Sequence, residues 1–215
     1  MKQVITMFTL LLITTIANAQ DAKAEQMVND IANQIENYDN IYVEFKHKID
    51  NKEADIHRET KGNVTLKKDL YHFNYMGSEQ FYDGIKVYSI IHEDEEVIIK
   101  NGTENEEDSL SPSEMFTFYK KGFTYKMDVL KNTNGKKIQY IKLTPIDTNS
   151  ETNYILMGVD TSTKNIYNII QVDKNTTEVT LQVTKFISNQ TISNQLFSFD
   201  RAKYEDKDYD ITETK

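Results

Sequence analysis

The chain has no cysteine, no tryptophan, two prolines and seven glycines among 215 residues. Without cysteine there is no disulfide framework, no thiolate metal site and no thiol nucleophile. Positive charge is also scarce, with 25 Lys and Arg against 34 Asp and Glu and a formal charge of −9. That balance lacks the electrostatic footprint of a nucleic-acid binder and gives no purchase on anionic headgroups by charge alone, so no nucleic-acid partner is expected. Catalytic signatures are missing as well: there is no glycine-rich phosphate loop, no Gly-x-Ser-x-Gly elbow and no His-Glu-x-x-His. The four histidines, His47, His57, His72 and His92, are not at metal-ligand spacing. No metal or cofactor is expected and no enzyme, although a general acid/base pair among the many carboxylates stays open at this level.

Apolar runs are short, with one exception at the start. Lys2 precedes an almost uncharged stretch over 4–16 that closes on Ala17-Asn18-Ala19. This is the pattern of a secretory signal peptide over 1–19, and it is too short for a comfortable membrane span. Its removal leaves 24 basic and 34 acidic residues and a charge of −10. The expected product is an exported, periplasmic, unanchored single domain over 20–215, held together by its core.

Thirteen Tyr and ten Phe supply that core. Ala24, Met27, Val28, Ile31 and Ile35 recur at three- and four-residue steps, which predicts one amphipathic helix ending near Asn37. The period then becomes two. Val43, Phe45, His47 and Ile49 alternate with Tyr42, Glu44, Lys46 and Lys48, and similar runs follow over 60–66, 70–76, 79–82, 86–92 and 96–100. A second series runs over 123–131, 137–144, 153–159, 166–173 and 178–187, with Met76-Gly77, Asp83-Gly84, Asn101-Gly102 and Asn134-Gly135 as turns. About eleven strands with short connections predict a meandering antiparallel sheet and exclude a Rossmann-type fold. Between the series lies an acidic loop over 104–108, then Ser111-Pro112-Ser113-Glu114, a capping-box helix start, and Gly122 at a helix C-terminus. The helix so predicted carries Met115, Phe116, Phe118 and Tyr119 on an apolar face.

Parity groups Tyr71, Phe73 and Tyr75 on one face, Val43, Phe45 and Ile49 on another, and Val87, Ser89 and Ile91 on a third. These are core residues under two helices, or the lining of an apolar ligand cavity. The second follows from area: about eleven strands present more apolar surface than two helices cover. The acidic turn over 93–96 and the 104–108 loop are solvated surface, or a docking site for a basic partner.

The order of these pieces resembles the periplasmic outer-membrane lipoprotein carrier (LolA) family in its Bacteroidetes-like form. The resemblance covers nearly the whole mature chain. It rests on the exported helix leading into Val43-Glu44-Phe45, then Gly62-Asn63-Val64-Thr65-Leu66 and Leu70-Tyr71-His72-Phe73-Asn74-Tyr75. It continues through Tyr82-Asp83-Gly84-Ile85-Lys86-Val87-Tyr88, Ser111-Pro112-Ser113-Glu114-Met115-Phe116, Leu143-Thr144-Pro145 and Leu196-Phe197-Ser198-Phe199-Asp200. It implies an unclosed antiparallel β half-barrel with helices over its concave face as a lid, and an acyl-chain cavity between. The implied partners are acylated lipoproteins, a loading ABC-type release complex of the inner membrane and an outer-membrane acceptor, with the carrier itself a monomer. By position the resemblance matches Phe45, Phe73 and Tyr75 to cavity-facing sheet residues, Ile31 and Ile35 to lid contacts of the first helix, and Phe118 and Tyr119 to the central lid helix. Parity adds Tyr71 and Val87 to the candidate cavity, and the apolar face of the predicted helix adds Phe116. The sequence departs from the family where a basic residue and Pro precede the 71–75 strand to latch the lid: here Lys67-Lys68-Asp69-Leu70 leaves Lys68, without the planar fork of Arg, to serve.

Overall fold

A computed structural model describes residues 21–102, 112 and 114–214. The signal-peptide segment, the 104–108 loop and Ser111 and Ser113 of the capping box lie outside the described residues.

Residues 21–36 form helix α1, whose predicted stripe is its buried face: Ala24, Val28, Ile31 and Ala32 are fully buried. Burying Val28 and Ile31 contributes about 1.5–3 kcal/mol each. Eleven strands follow the two predicted series. The first is β1 (Ile41–Asn51), β2 (Ile56–Lys67), β3 (Leu70–Tyr75), β4 (Ser78–Tyr82), β5 (Lys86–Ile91) and β6 (Glu96–Asn101). The second is β7 (Phe123–Thr133), β8 (Lys136–Pro145), β9 (Thr152–Asp160), β10 (Ile166–Asp173) and β11 (Glu178–Ser188). Met76-Gly77 and Asn134-Gly135 turn with both residues left-handed (φ +52, +77 and +51, +76), the hairpin geometry their sequences favour.

These strands and a twelfth, β12 (Asp210–Glu213), belong to one unclosed sheet in the order β12-β6-β5-β4-β3-β2-β1-β11-β10-β9-β8-β7. Each series is a meander, and the two are joined by antiparallel pairing of β1 with β11, from Ile41 opposite Ser188 to Asp50 opposite Glu178. This is the predicted open half-barrel. Its inner face carries Val43, Phe45, Val64, Tyr71, Ile141, Leu143, Ile155 and Met157, covered by α1 and by Phe116, Phe118 and Tyr119 from the segment before β7.

Two features differ from the sequence-based expectation. The predicted helix before Gly122 is a pair of 3-10 turns, Glu114–Phe116 and Phe118–Lys120. The segment serves two clusters: Phe116 packs against Val43 and Tyr71, whereas Phe118 and Tyr119 pack against α1, Ile141 and Leu143. A single short α-helix would give them one face, and it is too short to nucleate on propensity alone. Gly122 is left-handed (φ +86), as expected of a terminating residue.

The second difference is at the C-terminus. After β11 the chain runs through a 3-10 turn (Asn194–Phe197), helix α2 (Arg201–Glu205) and a twelfth strand, β12 (Asp210–Glu213), which pairs parallel to β6. The sheet is thus antiparallel except at this edge. Four residues are too few to show alternation, so periodicity missed β12. This strap covers the outer face, where Tyr204 is buried among Phe81, Ile90, Val97 and Ile99. Phe199 stacks between Tyr88 and Tyr204, at ring separations of 4.7 and 5.3 Å.

Glu79 ties the strap down. One carboxylate oxygen accepts from His72 Nε2 (2.7 Å), and the other accepts from the Tyr204 hydroxyl (3.3 Å) with His92 Nε2 at 3.6 Å. The bond from His72 holds the Glu79 carboxyl below the usual range against the opposing effect of burial. A carboxyl held low stabilises the fold above its unfolded pKa and loses that contribution as pH falls through its folded value. Glu79→Gln should therefore cost about 1–3 kcal/mol near neutral pH, with the variant and wild-type melting temperatures converging in acid; curves that stay parallel down to pH 3 would contradict the assignment.

Candidate functional site: an apolar chamber under the lid

Between α1, the first 3-10 turn and the inner face lies a chamber of ≈ 40 Å³. Twelve of its fifteen wall residues are apolar. Helix α1 supplies Ile31 and Ile35, and the lid turn supplies Met115 and Phe116. The sheet supplies Val43, Phe45, Val64, Ile166, Ile169, Leu181, Val183 and Phe186. The polar members are Gln34, Lys164 and Asn165. Such a volume holds about three waters.

Among the described residues the polar ties across the lid do not involve Lys68. Gln34 Nε2 donates to Asn165 Oδ1 (2.9 Å) and to the Tyr38 hydroxyl (2.7 Å), fixing α1 to the β9–β10 turn. Lys120 pairs with Glu36 at 2.5 Å, joining the second 3-10 turn to the end of α1. The Tyr125 hydroxyl donates to the Tyr119 carbonyl (2.8 Å). Lys68, left-handed at φ +54, instead lines an outer pocket of ≈ 440 Å³ with Asp69, Glu114, Phe116 and Thr117. That pocket shares Ile35 and Phe116 with the chamber.

Of the ten candidate cavity and lid residues, Ile31, Ile35, Phe45 and Phe116 line the chamber. Tyr71 is buried on the same face but packs under Phe116, its hydroxyl donating to Gln80 Oε1 (3.0 Å). Phe73 and Tyr75 stand beyond Phe45, with ring centroids 6.2 and 6.0 Å from it. Phe45 separates them from the chamber because its ring lies over Gly62. Val87 sits opposite Tyr82, four strands from β1, on the inner face but away from the chamber. Phe118 and Tyr119 prop the lid against α1 and are outside the chamber wall.

Most of the far wall, from β10 and β11, went unassigned. Parity along β11 is broken at Thr184, where the register against β1 shifts, so that Val183 and Phe186 pair with the inward Phe45 and Val43 respectively. Their three-residue spacing hides a shared face. Ile169 and Leu181 do keep the period-two pattern of their strands and could have been found from it.

Solved structures provide the fold comparison. An uncharacterized conserved protein from Thermus thermophilus aligns at 8% identity and TM-score 0.57, covering 88% of this chain and 98% of that one. The two share a fold. A LolA superfamily protein from Nitrosomonas europaea is 10% identical at TM-score 0.44, over 82% of this chain and 97% of its own. LprF from Mycobacterium bovis is 10% identical at 0.48, over 80% and 96%. No family model and no curated protein matches the sequence.

Two substitutions test this geometry. A Cβ on Gly62 would stand 2.5 Å from Phe45 Cζ and 2.8 Å from the Asn74 carbonyl oxygen, and the latter cannot swing away. Gly62→Ala should cost about 1–3 kcal/mol in denaturant unfolding, and an unchanged midpoint would show that Phe45 is not wedged there. Among the described residues the buried Tyr119 hydroxyl has no hydrogen-bond partner, and burial raises its pKa. Tyr119→Phe removes the unpaired group and should stabilise the fold by about 1 kcal/mol; a lower melting temperature would mean that the hydroxyl is satisfied.

Proposed function

We propose that this protein is an exported, LolA-like carrier that takes the acyl chains of lipoproteins into the chamber and moves them from the inner to the outer membrane. The observation that carries the proposal is the apolar chamber between a half-barrel and a lid made of α1 and a crossover segment. No described helix is long and apolar enough to cross a membrane. In this reading an ABC-type release complex loads the carrier, an outer-membrane acceptor unloads it, and no catalytic step is involved.

The energetics suit transfer rather than storage. Each buried methylene contributes about 0.8 kcal/mol, so one long chain brings on the order of 10 kcal/mol. Part of that is offset because the empty lid is packed: Phe116 leaves the cluster of Val43, Val64 and Tyr71 when it lifts. Phe45 and Phe116, with Ile31 and Ile35, are then the first contacts of the chain. Tyr71, Phe73 and Tyr75 extend the path along the inner face once Phe45 moves.

Val183 is half-buried in the chamber wall and forms part of no catalytic or polar network, so a carboxylate there is costly to acyl chains and tolerable to the empty fold. Val183→Glu should abolish co-purification of acylated lipoprotein from periplasm, read by native mass spectrometry, while thermal unfolding stays cooperative. Val129→Glu, at an exposed position on β7, should carry cargo as wild type does. A folded Val183→Glu protein that still carries lipoprotein would remove the chamber from the mechanism. A wild-type protein that carries free lipid and refuses lipoprotein would keep the chamber and end the carrier assignment.

A further inference from the structure

The chamber is not apolar all round. Its three polar wall residues, Gln34, Lys164 and Asn165, are neighbours, since Gln34 Nε2 reaches Asn165 Oδ1 at 2.9 Å and Lys164 precedes Asn165 in the β9–β10 turn. They mark one end, beside Ile31, Ile35 and Ile166. From there the wall runs through Ile169 and Val183 to Phe45 and Val64 without another polar side chain. A space with one polar end and one apolar end fits an amphiphile in one orientation.

The charge at that end is positive. Lys164 is held in the turn by its own N–H, which donates to the Asp160 carbonyl at 2.8 Å, while its side chain is exposed at the chamber's edge. Asp160 is engaged elsewhere, accepting from Ser162 Oγ at 2.6 Å and pairing with Lys136 at 3.4 Å. Glu36, at the end of α1, is engaged by Lys120. Among the described residues no acidic group pairs with the Lys164 ammonium, and the other polar wall groups are neutral amides.

We propose that the chamber selects an amphiphile with an anionic head, the tail against the β1–β2–β10–β11 wall and a carboxylate or phosphate at Lys164, with Asn165 and Gln34 alongside. This deepens the acyl-chain reading and rests on it. The head contributes orientation more than affinity: an exposed charge pair changes binding by about fivefold at most, whereas the tail supplies most of the free energy. A head with a free amine is disfavoured at the same position.

The test is displacement of the uncharged fluorophore N-phenyl-1-naphthylamine from the mature protein by decanoate, decyl phosphate, decanol and decylamine at pH 8 and low salt. Decanoate and decyl phosphate should displace it at about fivefold lower concentration than decanol, with decylamine the weakest. The ratio of decanoate to decanol should fall to about one in Lys164→Gln and invert in Lys164→Glu, and it should shrink in high salt because the pair is exposed. Decanol matching decanoate on the wild type, or a preference that persists in Lys164→Gln, overturns the anionic head while leaving the chamber intact. Failure of the fluorophore and of all four amphiphiles to bind overturns the acyl-chain reading itself, and the head-group proposal with it.

Discussion

The pairing of β1 with β11 is the constraint on which the rest of the molecule depends. It joins two meanders that are each local in sequence into one sheet, and it places β6 near one end and β7 at the other. The 3-10 turns that precede β7 lie across the inner face between these two ends. The chain after β11 starts mid-sheet and reaches the β6 edge over the outer face. Lid and strap are consequences of strand order. The closure is also long-range, bringing residue 41 to residue 188, so most of its loop entropy is spent before the pairing stabilises anything.

The two coverings differ in how they are held. The strap is anchored by a buried aromatic stack, by backbone bonds of a parallel strand, and by a half-buried carboxylate with three partners. The lid has an apolar underside; its polar ties among the described residues are partly exposed, and beneath it the Tyr119 hydroxyl has no partner among those residues. An unpaired buried hydroxyl and a nearly collapsed chamber both raise the free energy of the closed lid relative to an ideally packed one. The inner covering is thus the one suited to open, and the outer covering the one suited to stay.

The chamber's composition follows from the same geometry. At the β1–β11 seam the inward residues that line the chamber, Val43 and Phe45 from one meander and Leu181, Val183 and Phe186 from the other, are aliphatic or aromatic. The polar end occurs where α1 crosses the β9–β10 turn, since a turn exposes backbone and favours polar residues. Phe45, seated over Gly62, divides this chamber from the aromatic row of Phe73 and Tyr75.

Local pattern carried most of the fold: the stripe of α1, eleven strands and the hairpin turns are consequences of side-chain period and of residues that accept positive φ. The inner face of β1 to β3 was legible for the same reason, because Val43, Phe45, Tyr71 and Phe73 alternate without interruption. What local pattern could not reach depended on contacts between distant segments. The bulge at Thr184 aligns Val183 with Phe186 only because β11 is paired with β1. Residues 114–120 form two turns instead of one helix because they answer to two separate clusters. Four residues become β12 because the edge of β6 is there to template them. Whether an inward aromatic lines a chamber or closes a core is decided by which neighbour reaches it first, and that is a property of packing, which exists only after the sheet has closed.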